Sequence, residues 1–382
     1  MATELVLPVA PANALTARWI HAIGNHPTVS SGAAVWPLLA IVAGAAAGAA
    51  RDELAVAVGI DPNTGTQAGR ALLDALTVTE GVSAALGLWS RAELPVRPEF
   101  LDELPPGVHE KFTGDLGADQ AMLDAWAQDR TDGMIKRMPV RIDTSTLLLL
   151  ASALTVRTTW RQPFGKTRSP GPWPLMTRTT EAPSIVRANT SVACVRIEGD
   201  NGIDVELVIG PVGVPANETL SAGLAVVTGA AEARSGDELL DGAPAPGIVV
   251  DHTVSTTNTP QCVVEAPKFT VRASHDLTAF PEVFGLATVL DPSEQRLPGI
   301  SERPIAVGKA AQDAIAEFTD TGFRAAAVTA MTMAPAGMVR RVQEYEVRRV
   351  TATFDRPYGF LAVHRATGLI LVSGWVTAPD AD

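Results

Sequence analysis

At 382 residues, with 46% apolar and 19% charged side chains, the chain is long enough for one large domain or two ordinary ones and too apolar for global disorder. A formal net charge of −12 with no basic run excludes the cationic footprint that phosphate binding needs, so nucleic acid is not an expected partner. Two cysteines, Cys194 and Cys262, fall in no C-x-x-C spacing and read as free buried thiols.

In chain order, Met1–Pro11 carries Glu4 but no Lys or Arg, so the positive region of a secretory signal is missing and a cytoplasmic location is expected. Ala14–Gly24 has the spacing of an amphipathic helix. Ala33–Ala50 is uncharged and just long enough to be read as a membrane span. It is mostly Ala and Gly, however, with Pro37 near its start and Arg51, Asp52 and Glu53 directly after. A buried helix of a large domain is the better reading, and no membrane partner is expected. Arg51–Val58 is a short charged helix stopped by Gly59. Phe100–Asp102 and Asp119–Met134 continue the helical half.

At Leu147 the pattern changes. Leu147–Val156 is an apolar run suited to a strand buried on both faces. Strand-like segments follow at Ser191–Ile197, Asp204–Ile209, Ile248–Asp251, Gln261–Val271, Ile305–Val307, Ala314–Phe318, Val347–Phe354, Gly359–Arg365 and Leu369–Val376, separated by Pro and Gly clusters. Helices first and strands afterwards imply an α+β fold with no internal repeat.

No enzyme motif survives inspection: there is no GxxxxGK[ST], no GxGxxG between strand and helix, no HExxH and no GxSxG. The histidines are scattered; His21 and His26 stand five apart, the wrong step for one helical face, so no metal site is expected. Asp129, Asp132 and Glu110 read as surface acids. Neither enzymatic activity nor a cofactor is expected.

Several stretches, in consistent order, carry a resemblance. They are Ser30-Ser31-Gly32 with the apolar helix and Arg51-Asp52-Glu53-Leu54, then Leu123-Asp124-Ala125-Trp126 with Thr131-Asp132-Gly133-Met134-Ile135. Leu147–Ala153 with Trp160-Arg161-Gln162-Pro163-Phe164 comes next, followed by Ala266-Pro267-Lys268-Phe269, Phe354-Asp355-Arg356-Pro357-Tyr358, and Gly368–Val376 with its Gly374. Together they resemble the serpins, in a bacterial-type form. The resemblance implies one domain over 1–382, with a large central mixed β-sheet, smaller sheets, helices mostly from the N-terminal half and an exposed reactive-centre loop near 322–345. It also implies a monomer that inhibits a serine protease as a suicide substrate: the loop is cut, then inserts into the sheet as an extra strand.

Gly322-Phe323-Arg324-Ala325-Ala326-Ala327-Val328-Thr329 matches the hinge of that loop. Were it a strand with Phe323 inward, Ala325, Ala327, Thr329, Met331 and Met333 would also face inward. Arg324, Ala326, Val328, Ala330, Thr332 and Ala334 would face out, so the one charge stays outside and insertion is permitted. Counting from Gly322 as in the family puts the cut between Ala336 and Gly337, which suits a subtilisin- or elastase-like protease; Met338, Arg340 and Arg341 are the other candidates.

Trp160 matches the tryptophan lying under the point where the loop inserts. Ala33, Ser152 and Gln312 fall at the positions of a hydrogen-bond network beneath the opening strands. The family's histidine is replaced there, leaving a hydroxyl and an amide able to pair. Phe323 also departs from the family's Thr or Ser, and fitting a phenyl ring into a dense interior would cost about 1–3 kcal/mol and slow insertion. A non-inhibitory serpin, serving as a binding or carrier module or recruited to another role, is the alternative these departures support.

Overall fold

The computed structural model describes residues 7–165, 172–291, 293–324 and 343–380. Eight α-helices lie among them: α1 (Val9–Ala22), α2 (Gly32–Ala45), α3 (Gly48–Val58), α4 (Gly65–Thr77), α5 (Pro98–Glu103), α6 (Leu116–Arg130), α7 (Ala216–Val227) and α8 (Pro281–Phe284). The uncharged stretch is not one rod. Ser31 caps α2 by accepting from the Ala34 amide at 3.1 Å, and α2 ends before an extended Ala46–Ala47 joint that leads into α3. Apolar all round, α2 has no solvated face and lies inside the core, which its composition requires. No helix among the described residues is long and apolar enough to cross a membrane.

Helix α4 escaped the sequence reading although Ala68, Leu72, Leu73 and Leu76 mark a buried stripe. Its Gly65 lets it lie against α2, since a Cβ there would overlap the Ala40 carbonyl. Helix α7 was missed as well; it sits among strands, so the helical half is a majority and not a rule.

Three sheets hold the strands. In the six-stranded one the order is β13 (Phe269–Asp276), β14 (Ala311–Phe318), β15 (Gly322–Arg324), β4 (Leu148–Thr159), β2 (Val82–Ser90) and β3 (His109–Lys111). It is mixed, because β2 and β3 run parallel while the other pairs are antiparallel. The Leu147–Val156 run becomes β4 inside this sheet, as expected. Helix α6 crosses β4 and β2, setting Trp126 edge-on to Trp89 with ring centroids 5.2 Å apart.

The largest sheet has seven strands and stands behind the six-stranded one. Its order is β1 (Thr28–Ser30), β18 (Leu369–Val376), β17 (Tyr358–His364), β8 (Ile203–Ile209), β7 (Ala193–Ile197), β6 (Val186–Ala188) and β9 (Arg234–Ser235). A five-stranded sheet orders β10 (Gly242–Ala245), β11 (Ile248–Ser255), β16 (Tyr345–Thr353), β12 (Gln261–Pro267) and β5 (Leu175–Thr180). The single segment read as Gln261–Val271 is two strands in two sheets, turned at Lys268. Ile305–Val307 is no strand; its run of apolar side chains serves core packing without a ladder. Both cysteines are free and buried, and burial pushes the Cys262 thiol up to about 12.

Candidate functional site

The six-stranded sheet is incomplete in its middle. β4 bonds β2 along Leu148–Val156 on one edge, yet its other edge meets β15 only at Arg157, Thr158 and Thr159. β14 likewise bonds β13 throughout but touches β15 only through Glu317 and Phe318. Below that short strand, β4 and β14 face each other across a slot with no described strand between them. The slot's floor is α2 through Ala34, Val35 and Leu38, and Trp126, Met134 and Ile135 lie on the α6 side. It encloses ≈ 90 Å³, room for several waters, so it is open space and not close-packed core. The burial of β4 agrees: Leu150 to Leu154, expected to be fully covered, are all partly exposed.

The top of the slot is closed by β15. Gly322 pairs with Thr159, and Phe323 stands between Thr158 and Phe318. A tight turn feeds this strand from β14: Thr319 Oγ1 accepts from the Gly322 amide at 3.2 Å, and the Thr319 amide donates to the Gly322 carbonyl at 2.9 Å. Trp160, at the end of β4, ties the turn down. Its backbone amide donates to the Thr321 carbonyl and its indole Nε1 to the Thr319 carbonyl, both at 2.9 Å. The ring is buried against Phe318, centroids 5.0 Å apart. Trp160 thus lies at the end of β4, against the turn that joins β14 to β15.

Phe323 corrects the expectation attached to it. Its ring is 1% exposed and 5.9 Å from that of Phe360, so the interior has already made room for it. The overpacking cost does not arise at this depth. Gly322 is needed beside it, because a Cβ would overlap the Thr158 carbonyl oxygen. We expect Gly322→Ala to push β15 off β4 and raise amide exchange at Phe323 and Arg324 about tenfold, for a strain of about 1–3 kcal/mol. Unchanged exchange would show that the strand has slack there. Hinge residues Ala325 to Thr329, and Ala336 with Gly337, lie outside the described residues.

At the slot's lower end, Ser152 and Gln312 do not bond to each other, contrary to the pairing read from the sequence. Each is satisfied by backbone at the start of α2. Ser152 Oγ donates to the Ala34 carbonyl at 2.7 Å. The Gln312 amide accepts from the Ser31 N–H at 2.9 Å and donates to the Ser31 carbonyl at 3.0 Å. Ala33 is wholly buried and has no polar atom to add to this belt.

A histidine does stand here, but on another strand. His275 is the register partner of Gln312, and its Nε2–H donates to the Val29 carbonyl at 2.9 Å, with Thr28 Oγ1 at 3.2 Å. Burial holds its pKa below the usual range against the upward pull of Val29, so it is neutral at pH 7. Only cross-strand register reveals this neighbour; spacing along the chain does not.

A family model described as Serpin (serine protease inhibitor) matches residues 12–180 and 249–379. The chain belongs to the serpin family. Solved structures share its architecture end to end. Tengpin, a thermophilic serpin in its native state, superposes with a TM-score of 0.76 at 14% identity, covering 99% of this chain and 96% of that one. Human thyroxine-binding globulin complexed with thyroxine gives 0.72 at 16%, covering 98% of each chain. A serpin from the trematode Schistosoma haematobium gives 0.70 at 13%, covering 97% of this chain and 100% of that one. At these identities the likeness is one of fold alone. No curated protein sequence matches the chain.

Proposed function

We propose that this serpin inhibits a serine endopeptidase as a suicide substrate, with the loop after Arg324 as bait and the slot between β4 and β14 as the place it fills. The observation that supports this reading is β15: Gly322–Arg324 pair with β14 on one side and β4 on the other, and the slot lies below them. Extending that register puts Ala325 opposite Val156 and Ala316, Ala327 opposite Leu154 and Ala314, and Thr329 opposite Ser152 and Gln312. Small residues would meet the apolar floor, and a hydroxyl would arrive at the polar belt.

In the reaction, the protease serine Oγ attacks the carbonyl carbon of Ala336. The C–N bond to Gly337 breaks, the amine leaves on the Gly337 side, and an ester joins loop and protease. The freed N-terminal arm then inserts, gaining ladder bonds on both edges and burying its inward face. This carries the protease away from its starting position before water can hydrolyse the ester. The chain itself supplies no catalytic group. Its energy source is the relaxation of an incomplete sheet to a complete one.

The test is incubation with a panel of subtilisin-, elastase- and trypsin-like proteases, read as SDS-stable complex on a gel and as the mass of the released C-terminal peptide. We expect a complex with an enzyme that accepts a small residue, and a peptide starting at Gly337. Clean cleavage by every enzyme with no complex would overturn the proposal and favour a binding or carrier role.

A further inference from the structure

A second hollow lies where the start of α1, helix α4 and the turn between β17 and β18 meet. It holds ≈ 220 Å³ and shares no lining residue with the slot. Its walls are Leu72, Ala75 and Leu76 of α4, Leu369 and Leu371 of β18, and Val9 of α1. Helix α7, which also packs on α1, contributes nothing to it. Residues 72, 75 and 76 share one helical face, and 369 and 371 share one face of their strand, so two apolar surfaces confront each other. Ala75 puts only a methyl group between them. Native interiors are close-packed, so leucines that border a space of this size forgo contacts that a bound molecule would restore.

The walls are braced. Asn13 of α1 donates to the Gly368 carbonyl and accepts from the Ile370 amide, both at 2.9 Å, which fixes α1 to the β17–β18 turn. Val78, 84% exposed, also lines the hollow and leaves it a route to solvent.

Polar groups are few. The Thr79 hydroxyl is spent on the Ala75 carbonyl at 2.8 Å. His364, the register partner of Leu369, is the one titratable residue among those described around the cavity. Its Nδ1 stands 2.9 Å from Thr367 Oγ1, and that oxygen already accepts from the Leu369 amide at 3.2 Å. The hydroxyl therefore has its own hydrogen to give to Nδ1, which assigns the imidazole proton to Nε2. Nε2 has no hydrogen-bond partner among the described residues. Burial holds the imidazole below its usual range, so it is neutral at pH 7.

We propose that this cavity binds a small molecule with an apolar body and one uncharged hydrogen-bond acceptor, a ketone, ester or amide carbonyl, which takes the Nε2 proton of His364. Volume and lining carry the inference. An engineered cavity of ~150 Å³ walled by aliphatic and aromatic side chains takes benzene, and this one has room for a body about half as large again. One fixed donor in an apolar wall orients a ligand at its acceptor end. No Lys or Arg lines the space among the described residues, so a carboxylate would lose its water without gaining a counter-charge. The site is independent of whether the loop inserts.

The test titrates the full-length protein with 4-phenyl-2-butanone, n-butylbenzene and 3-phenylpropanoate, read by calorimetry and by the NMR signal of the His364 Cε1 proton. We expect saturable binding of the ketone tighter than about 1 mM, a shift of the His364 signal, and at least tenfold weaker binding of the carboxylate. Ala75→Trp should fill the space and abolish binding. His364→Phe keeps a ring but removes the donor; it should cost the ketone about three- to tenfold and butylbenzene nothing. No saturable binding to the parent would overturn the proposal, as would unchanged binding to a folded Ala75→Trp variant. If that variant does not fold, the ketone-to-butylbenzene comparison on His364→Phe decides, and equal loss of both sinks the assigned acceptor. A carboxylate that binds best would overturn the uncharged class. Binding gained only when residues 1–6 are removed would give the cavity to the chain's own start and overturn the ligand site.

Discussion

Ala327→Arg will leave the loop cleavable and abolish trapping. In the proposed insertion, the β15 register continued downward would put residue 327 on the inward face with Phe323, between Leu154 of β4 and Ala314 of β14. Beneath it are Ala34, Val35 and Leu38 of α2, which offer a guanidinium no acid. An unpaired charge buried there costs several kcal/mol, roughly a thousandfold or more in rate if felt at the insertion step. Hydrolysis of the ester then outruns insertion, and the protease is released with the inhibitor spent.

The readouts are the molar ratio needed for complete inhibition, the band of covalent complex, and the rise in melting temperature on nicking; the first should climb steeply and the other two vanish. Val328→Arg is the control. In the same continued register it would face outward opposite Asp313, whose Oδ1 is buried without a hydrogen-bond partner among the described residues, and it should keep trapping. Equal complex yields from Ala327→Arg and the parent would mean that the loop does not insert in this register.

Phe323→Ala will unseat β15 without unfolding the protein. The ring is among the largest fully buried side chains, beside Phe360 and Phe318. Removing a buried phenyl group typically costs ~3–5 kcal/mol. β15 is only Gly322–Arg324, so the cheapest response is local opening of that strand and not global denaturation. Amide exchange at Phe323 and Arg324 should therefore rise roughly a hundredfold or more, while the main melting transition moves little. In the proposed mechanism the seated β15 is the first rung of insertion, so complex formation should slow as well. Phe323→Thr should act in the same direction, the reverse of the relief expected from the sequence alone. Unchanged exchange in the alanine variant would show that the ring contributes nothing to the seat.

The residues themselves determined which surfaces are buried. The charge-free composition of Gly32–Ala45 made α2 a core helix, and the apolar run of β4 made it an interior strand. Of the alternation read after Gly322, the described residues hold Phe323, which faces inward and is buried. Such patterns report faces, because hydrophobic burial acts on side chains, whose period along the chain is fixed by the element.

They are silent about edges. Every residue but proline offers the same N–H and C=O, so nothing in β4 or β14 says which of their edges is bonded and which lines a slot. For the same reason neither the position of β16 between β11 and β12 nor the place of His275 beside Gln312 was legible. The room found for Phe323 also needed the third dimension, because the volume that receives the ring is bounded by Phe360, far along the chain. Side-chain pattern settled what must be inside; only the folded backbone decided where the sheet was left open and which strand was tied down.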